Sequence, residues 1–123
     1  MSFDFNHQLD ITFEASGDLS TKQYHFVTLD SNGQIAVSTR GALSVGVLQD
    51  KPAAINRAAQ VRCLLVSKIL LGGTVTKGQA LVADANGAAV NASSSDNAFM
   101  GFAMEGGSSG QIIAMLLQPR GLS

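Results

Sequence analysis

His7 and His25 are the only histidines, and Cys63 the only cysteine, in a chain of 123 residues. Metal binding or a Cys–His nucleophile requires such groups to converge, commonly through H-x-x-H, C-x-x-C or H-x-E spacing. None of those spacings surrounds any of the three. Cys63 therefore reads as a small buried hydrophobe and the histidines as ordinary strand residues. A single thiol also excludes an internal disulfide and points to synthesis in a reducing compartment.

The carboxylates are Asp4, Asp10, Glu14, Asp18, Asp30, Asp50, Asp84, Asp96 and Glu105. Asp30 and Asp84 open Asp-Ser-Asn-Gly and Asp-Ala-Asn-Gly, where a short acceptor side chain caps turn amides. Asp50 and Glu105 would act as a general acid pair only by meeting in a substrate cleft; the plainer reading is two solvated turn carboxylates. Gly72-Gly73 and Gly106-Gly107-Ser108-Ser109-Gly110 lack the Lys-Ser/Thr ending and following helix of a phosphate-binding loop. They read as turns. No motif supports catalysis, a cofactor or a metal.

Composition narrows the remaining classes. Charged residues make up 14% of the chain, against roughly 25% in an ordinary soluble domain. With 46% hydrophobic residues, a long disordered charged tail is excluded. The net charge of −1 leaves no basic stripe to replace counterions, so nucleic acid is not an expected partner. The longest apolar stretch, Val61 to Leu71, is broken by Arg62, Ser67 and Lys68 and is far shorter than the roughly 20 residues of a membrane span. The start, MSFDFNHQLD, has neither the basic nor the apolar region of a secretory signal. One soluble domain is expected.

The elements follow from periodicity. Phe3, Phe5, His7, Leu9, Ile11, Phe13 and Ala15 alternate with polar residues, the period of an extended chain with one apolar face. This segment, 1–15, reads as an N-terminal arm or as a first core strand. As an arm it would lay Phe3, Phe5, Leu9, Ile11 and Phe13 on a partner. Beyond it, 16–123 reads as a single β domain with hairpins at Asn32-Gly33 and Asn86-Gly87. Asp30 to Gly33 recurs at Asp84 to Gly87, Val45-Gly46-Val47 at Met100-Gly101-Phe102, and Asp50 at Glu105. The closing strand after Gln60-Val61 recurs after Gln111-Ile112, an offset of 51. These landmarks suggest a pseudo-repeat over roughly 24–70 and 79–118. Gly46 and Gly101 lie inside strands, where a bulge or a close backbone approach is the usual reason for glycine. The expected fold is all-β, a small barrel or sandwich of two similar halves.

The stretches GALSVGVLQDKPAA, LGGTVTKGQALVADANGAAV and GFAMEGGSSGQIIAMLL together resemble the small capsid decoration, or cement, proteins of tailed bacteriophages. The resemblance spans roughly Ile11 to Gln118 and lies in the order of elements. It implies a non-enzymatic all-β virion protein, made in the host cytoplasm, that binds the capsid exterior. Its implied partner is the major capsid protein, and its implied state a homotrimer. Gly46, Gly101 and the turn Asp84 to Gly87 match structural positions of that family. The Phe-rich start and the AINRAAQ loop with Arg57 depart from it. A small-ligand or carbohydrate-binding β-module is the alternative.

Overall fold

Two turns built on aspartate fix the first strand pairings. In the computed structural model, which describes residues 9–40, 44–93 and 99–120, Asp30 Oδ1 accepts hydrogen bonds from the amides of Asn32 and Gln34 at 2.9 Å. Asp84 Oδ1 accepts from the amides of Asn86 and Ala88 at 2.8 and 3.0 Å. Of the two residues in each Asn-Gly pair only the glycine is left-handed, Gly33 at φ 76° and Gly87 at φ 84°. Each glycine amide donates to the carbonyl of the aspartate three residues back. Asn32 and Asn86 thus sit within four-residue turns closed by a glycine, not in two-residue loops with both residues at positive φ. The aspartate cap favours this longer form because it satisfies two turn amides at once.

The described strands are β1 (Leu9–Ala15), β2 (Phe26–Leu29), β3 (Gln34–Val37), β4 (Gly46–Leu48), β5 (Ala58–Leu70), β6 (Ala80–Ala83), β7 (Ala89–Asn91), β8 (Phe99–Ala103) and β9 (Ile112–Arg120). The fold is all-β, and the described residues contain no helix. Strand β1 pairs in parallel with β3 and antiparallel with β5. The pairings β1-β3-β2-β4-β5 therefore return to β1 and close a five-stranded ring. The order continues β5-β9-β8-β6-β7, and a parallel bridge joins Leu71, just past β5, to Ala89 at the start of β7. Strand β5 closes the first ring and opens the second.

Register shows how alike the halves are. Val27, Thr28 and Leu29 pair with Val37, Ala36 and Ile35; Leu81, Val82 and Ala83 pair with Asn91, Val90 and Ala89, each residue 54 positions on. Val27↔Gly46 recurs as Leu81↔Gly101, with β4 and β8 55 apart. Leu48↔Val61 recurs as Ala103↔Met115. Val61 thus corresponds to Met115, an offset of 54 and not the 51 expected. Gln111 belongs to the turn before β9, so ladder pairing sets the equivalence where the apolar run alone does not.

Both strand glycines answer to a close backbone approach. A Cβ on Gly46 would fall onto the carbonyl oxygen of Arg62, and one on Gly101 onto that of Leu116, again 54 residues apart. Strand β8 also shifts register between Phe99 and Gly101.

Residues 9–15 are a strand of the protein's own sheet, held by β5 on one side and β3 at its end. Phe13 packs against the first-half core, because a central strand position gives its ring more burial than a free arm would. Phe3, Phe5 and His7 lie outside the described residues.

Two cores share the strands between them. Ala15, Val27, Ile35, Leu48, Ala59 and Val61 fill the first. Phe26 and Val47, although they belong to first-half strands, join Ile69, Leu81, Met100, Met115 and Leu117 in the second. Alternation along β2 and β4 thus buries both of their faces. The Phe26 amide donates to Gly87 O at 2.7 Å, and the Leu70 amide to Tyr24 O at 2.9 Å. Gln49 Nε2 donates to Ser67 Oγ at 2.9 Å, satisfying a buried hydroxyl.

The seam makes Gly87 costlier to change than Gly33. A Cβ at Gly33 meets open space, whereas one at Gly87 meets Val37 Cγ1 at 2.7 Å and Phe26 O at 2.9 Å. Gly33→Ala should cost about 1 kcal/mol from its left-handed backbone. Gly87→Ala should cost at least about 2 kcal/mol, since steric conflict adds to the same term. Urea unfolding of both variants checks the ranking; equal midpoints would refute it.

His25 also lies at this seam, 7% exposed, with Nδ1 3.1 Å from Gln23 O. Burial holds its pKa below the usual histidine value, ahead of the opposing Gln23 hydrogen bond. The unfolded chain therefore takes up this proton at higher pH than the folded one, and stability falls as pH drops below about 6.5. Melting temperature should decline between about pH 7.5 and 5.5, with a shallower slope in His25→Gln.

Candidate binding surface

Among the described residues, Asp50, Glu105 and Cys63, which could carry chemistry, serve the fold itself. No group of three or more His, Cys, Asp or Glu side chains converges among the described residues. Asp50 Oδ1 accepts from the Gln60 amide at 3.1 Å, and Glu105 Oε1 from the Ala114 amide at 2.8 Å. These amides are 54 residues apart, so the two carboxylates cap equivalent turns. Cys63 is half-buried, and burial pushes its thiol pKa up, away from the reactive thiolate. Among the expected structural positions, Asn32 and Gly33 close the first turn, Asn86 and Gly87 the second, and Gly46 and Gly101 mark the two close approaches.

What remains is an apolar surface built by a break in β5. Along this strand Ala59, Val61, Ser67 and Ile69 are buried in one phase. Leu65 belongs to the same phase, yet it is 39% exposed. Its backbone is left-handed, at φ 74°, which costs a non-glycine residue about 1–2 kcal/mol. The turn of the chain falls where β5 changes partners: Leu64 pairs with Leu9 of β1, and Leu65 with Leu117 of β9. Strand β1 adds a register shift between Leu9 and Asp10, opposite Cys63. Leu64 and Leu65 consequently both reach solvent.

Leu64, Leu65, Leu116, Leu117 and Gln118 line an open groove of about 310 Å³. Beside it, Leu9 and Ile11 are 43% and 39% exposed. Arg62 ties the two sides together. Its Nε and Nη2 donate to Asp10 at 2.8 and 3.0 Å, and Nη1 donates to Val66 O at 3.3 Å across the break. This bidentate pair aligns β1 with β5 more than it stabilises, because both side chains are partly solvated.

The structure brings the expected Leu9 and Ile11 to this surface and places Phe13 on the core. Sequence reasoning did not single out Leu64, Leu65, Leu116 or Leu117. The available signal was Leu64 and Val66 standing in the polar phase of Gln60, Arg62 and Lys68, which an ordinary half-buried strand would fill with polar side chains.

The N base of the head fiber gp8.5 of bacteriophage phi29 superposes with a TM-score of 0.70 at 18% identity, covering 90% of this chain and 94% of that one. At that identity the likeness is one of fold. No curated protein matches the sequence. The family described as phage cement protein matches residues 4–117, nearly the whole chain. The chain therefore belongs to the phage cement proteins, structural components of the phage head.

Proposed function

We propose that this protein binds the exterior of the phage head as a homotrimer and bridges neighbouring major capsid protein subunits. The observation that carries the reading is the exposure of Leu9, Ile11, Leu64 and Leu65 around the break in β5, where Leu64 and Leu65 also line an open groove. Phe3 and Phe5 stand upstream of Leu9 in the same alternating pattern and belong to the same contact region. Family membership supports the location. The mechanism is mechanical. A small rigid domain seated across a joint between subunits adds buried area there, and the joint opens only if that contact is also broken. Specific interfaces bury about 1,200–2,000 Å², and many copies on one shell act together, so modest affinity per copy is enough. Among the groove-lining residues only Gln118 carries a polar side chain, whereas a small-ligand or carbohydrate site needs several polar groups to fix orientation.

Purified protein should co-sediment with expanded heads that lack it, at micromolar concentration; absence of co-sedimentation would overturn the reading. Replacing Leu9 and Ile11 together by aspartate should weaken head binding at least about tenfold. The melting temperature should change little, because both side chains are already substantially exposed. Undiminished head binding by this variant would remove Leu9 and Ile11 from the interface.

A further inference from the structure

Strand β1 is paired along the whole of one edge and only at the end of the other. On the β5 side its register runs from Leu9 to Glu14. On the other side β3 meets it at Glu14 and Ala15 alone, because β3 begins at Gln34, the partner of Glu14. Residues 9–13 therefore run past the end of β3. Burial follows the same course: Ala15 is buried and Phe13 half-buried, while four consecutive residues, Leu9 to Thr12, are exposed. Backbone direction is set by Gln60, whose amide donates to Asp50 Oδ1 and whose carbonyl accepts from the Gln49 amide. Gln60 thus turns both groups away from its register partner Thr12. In an antiparallel ladder such partners turn away from each other, and the pattern repeats every second residue. Thr12 and Asp10 consequently aim their N–H and C=O groups at the edge that, among the described residues, no strand covers.

An unpaired edge is a template for one more strand, and β1 contains neither the proline nor the lysine that commonly blocks one. Its side chains define the chemistry of what fits. Asp10, Thr12 and Glu14 share one face of the strand, and Ile11 and Phe13 the other. A residue added opposite Thr12 stands diagonally between two carboxylates, within reach of a long side chain. A second copy of β1 supplies no cation there, since LDITFEA contains none. Resting on the reading above, we propose that an extended segment of a capsid subunit, with Lys or Arg between apolar residues, adds to β1 at Asp10 and Thr12. Arg62 already pairs with Asp10, so Glu14 is the carboxylate that the incoming cation meets. Main-chain bonds supply the affinity, and the alternating side chains select the segment.

Hydrogen exchange read residue by residue on the unmodified protein provides the test. In the free protein the amides of Asp10 and Thr12 should exchange fast, and those of Ile11 and Phe13, which face β5, slowly. On expanded heads that lack the protein, Asp10 and Thr12 should slow at least about tenfold. Head-bound protein in which these two amides exchange as in the free state overturns this proposal alone, whereas absence of binding overturns the reading above with it. Slow exchange at both amides before heads are added shows the edge filled by a second copy, if it depends on concentration, or by the chain itself, if it does not; either outcome overturns the proposal. A pair of variants gives a second readout. Thr12→Pro removes an outward N–H and leaves the β5 ladder intact, and should bind heads at least about tenfold more weakly than Thr12→Val, which keeps that N–H. Equal binding by the two, or undiminished binding by Glu14→Lys, would also overturn it.

Discussion

Strand β5 is shared between two rings of strands, and most of the molecule's organisation follows from that sharing. Its first part closes the ring begun by β1, and its second part opens the ring closed by β9. Strand β5 changes partner from β1 to β9 partway along its length. The change occurs at Leu65, in a left-handed conformation that a leucine adopts only when its surroundings impose it. The two halves are then held face to face by Phe26 and Val47, which enter the second core from first-half strands. Backbone bonds from Phe26 to Gly87 and from Leu70 to Tyr24 set the seam. Because β2 and β4 are buried on both faces, neither half has a complete hydrophobic boundary without the other.

The same sharing explains where the surface is apolar. Four of the few carboxylates cap turns: Asp30 and Asp84 in the hairpins, Asp50 and Glu105 beyond β4 and β8. Asp10 pairs with Arg62 across the break. Five of the nine carboxylates thus serve local geometry. Leu9, Leu64 and Leu65 are exposed where β5 changes partners, and Ile11 is exposed two residues further along β1. Exposed apolar side chains gathered at one break are a cost to a solitary domain and an asset to a protein that works on a shell.

Much of this was legible in residue types and spacing. The repeated Asp-x-Asn-Gly turns and the paired glycines at Gly46 and Gly101 pointed to two similar halves, because turn chemistry and backbone proximity are local demands that only certain residues meet. Their bonding was less legible: Asn-Gly alone suggests a two-residue loop, and the aspartate two positions before the asparagine changes the turn. The closing strand's offset of 54 is not legible in the sequence, because apolar residues recur densely through β9 and composition cannot fix register where pairing does. Leu9, Ile11 and Phe13 share one alternating face, yet they end in different environments: Phe13 packs on the core, and the other two reach solvent.

The sequence by itself determined an all-β chain with turn-capping acids, two glycine-centred strands, no metal-ligand or nucleophile spacing and too little charge for a polyanion partner. Each of these depends on near neighbours or on totals. Only the tertiary structure decided that β1 closes a ring and that one strand serves both halves. It also decided that Leu65 turns outward against its own periodicity, forming a groove with residues some fifty positions away. Those outcomes depend on which strand lies beside which, and period-two alternation is the same whichever neighbour a strand takes.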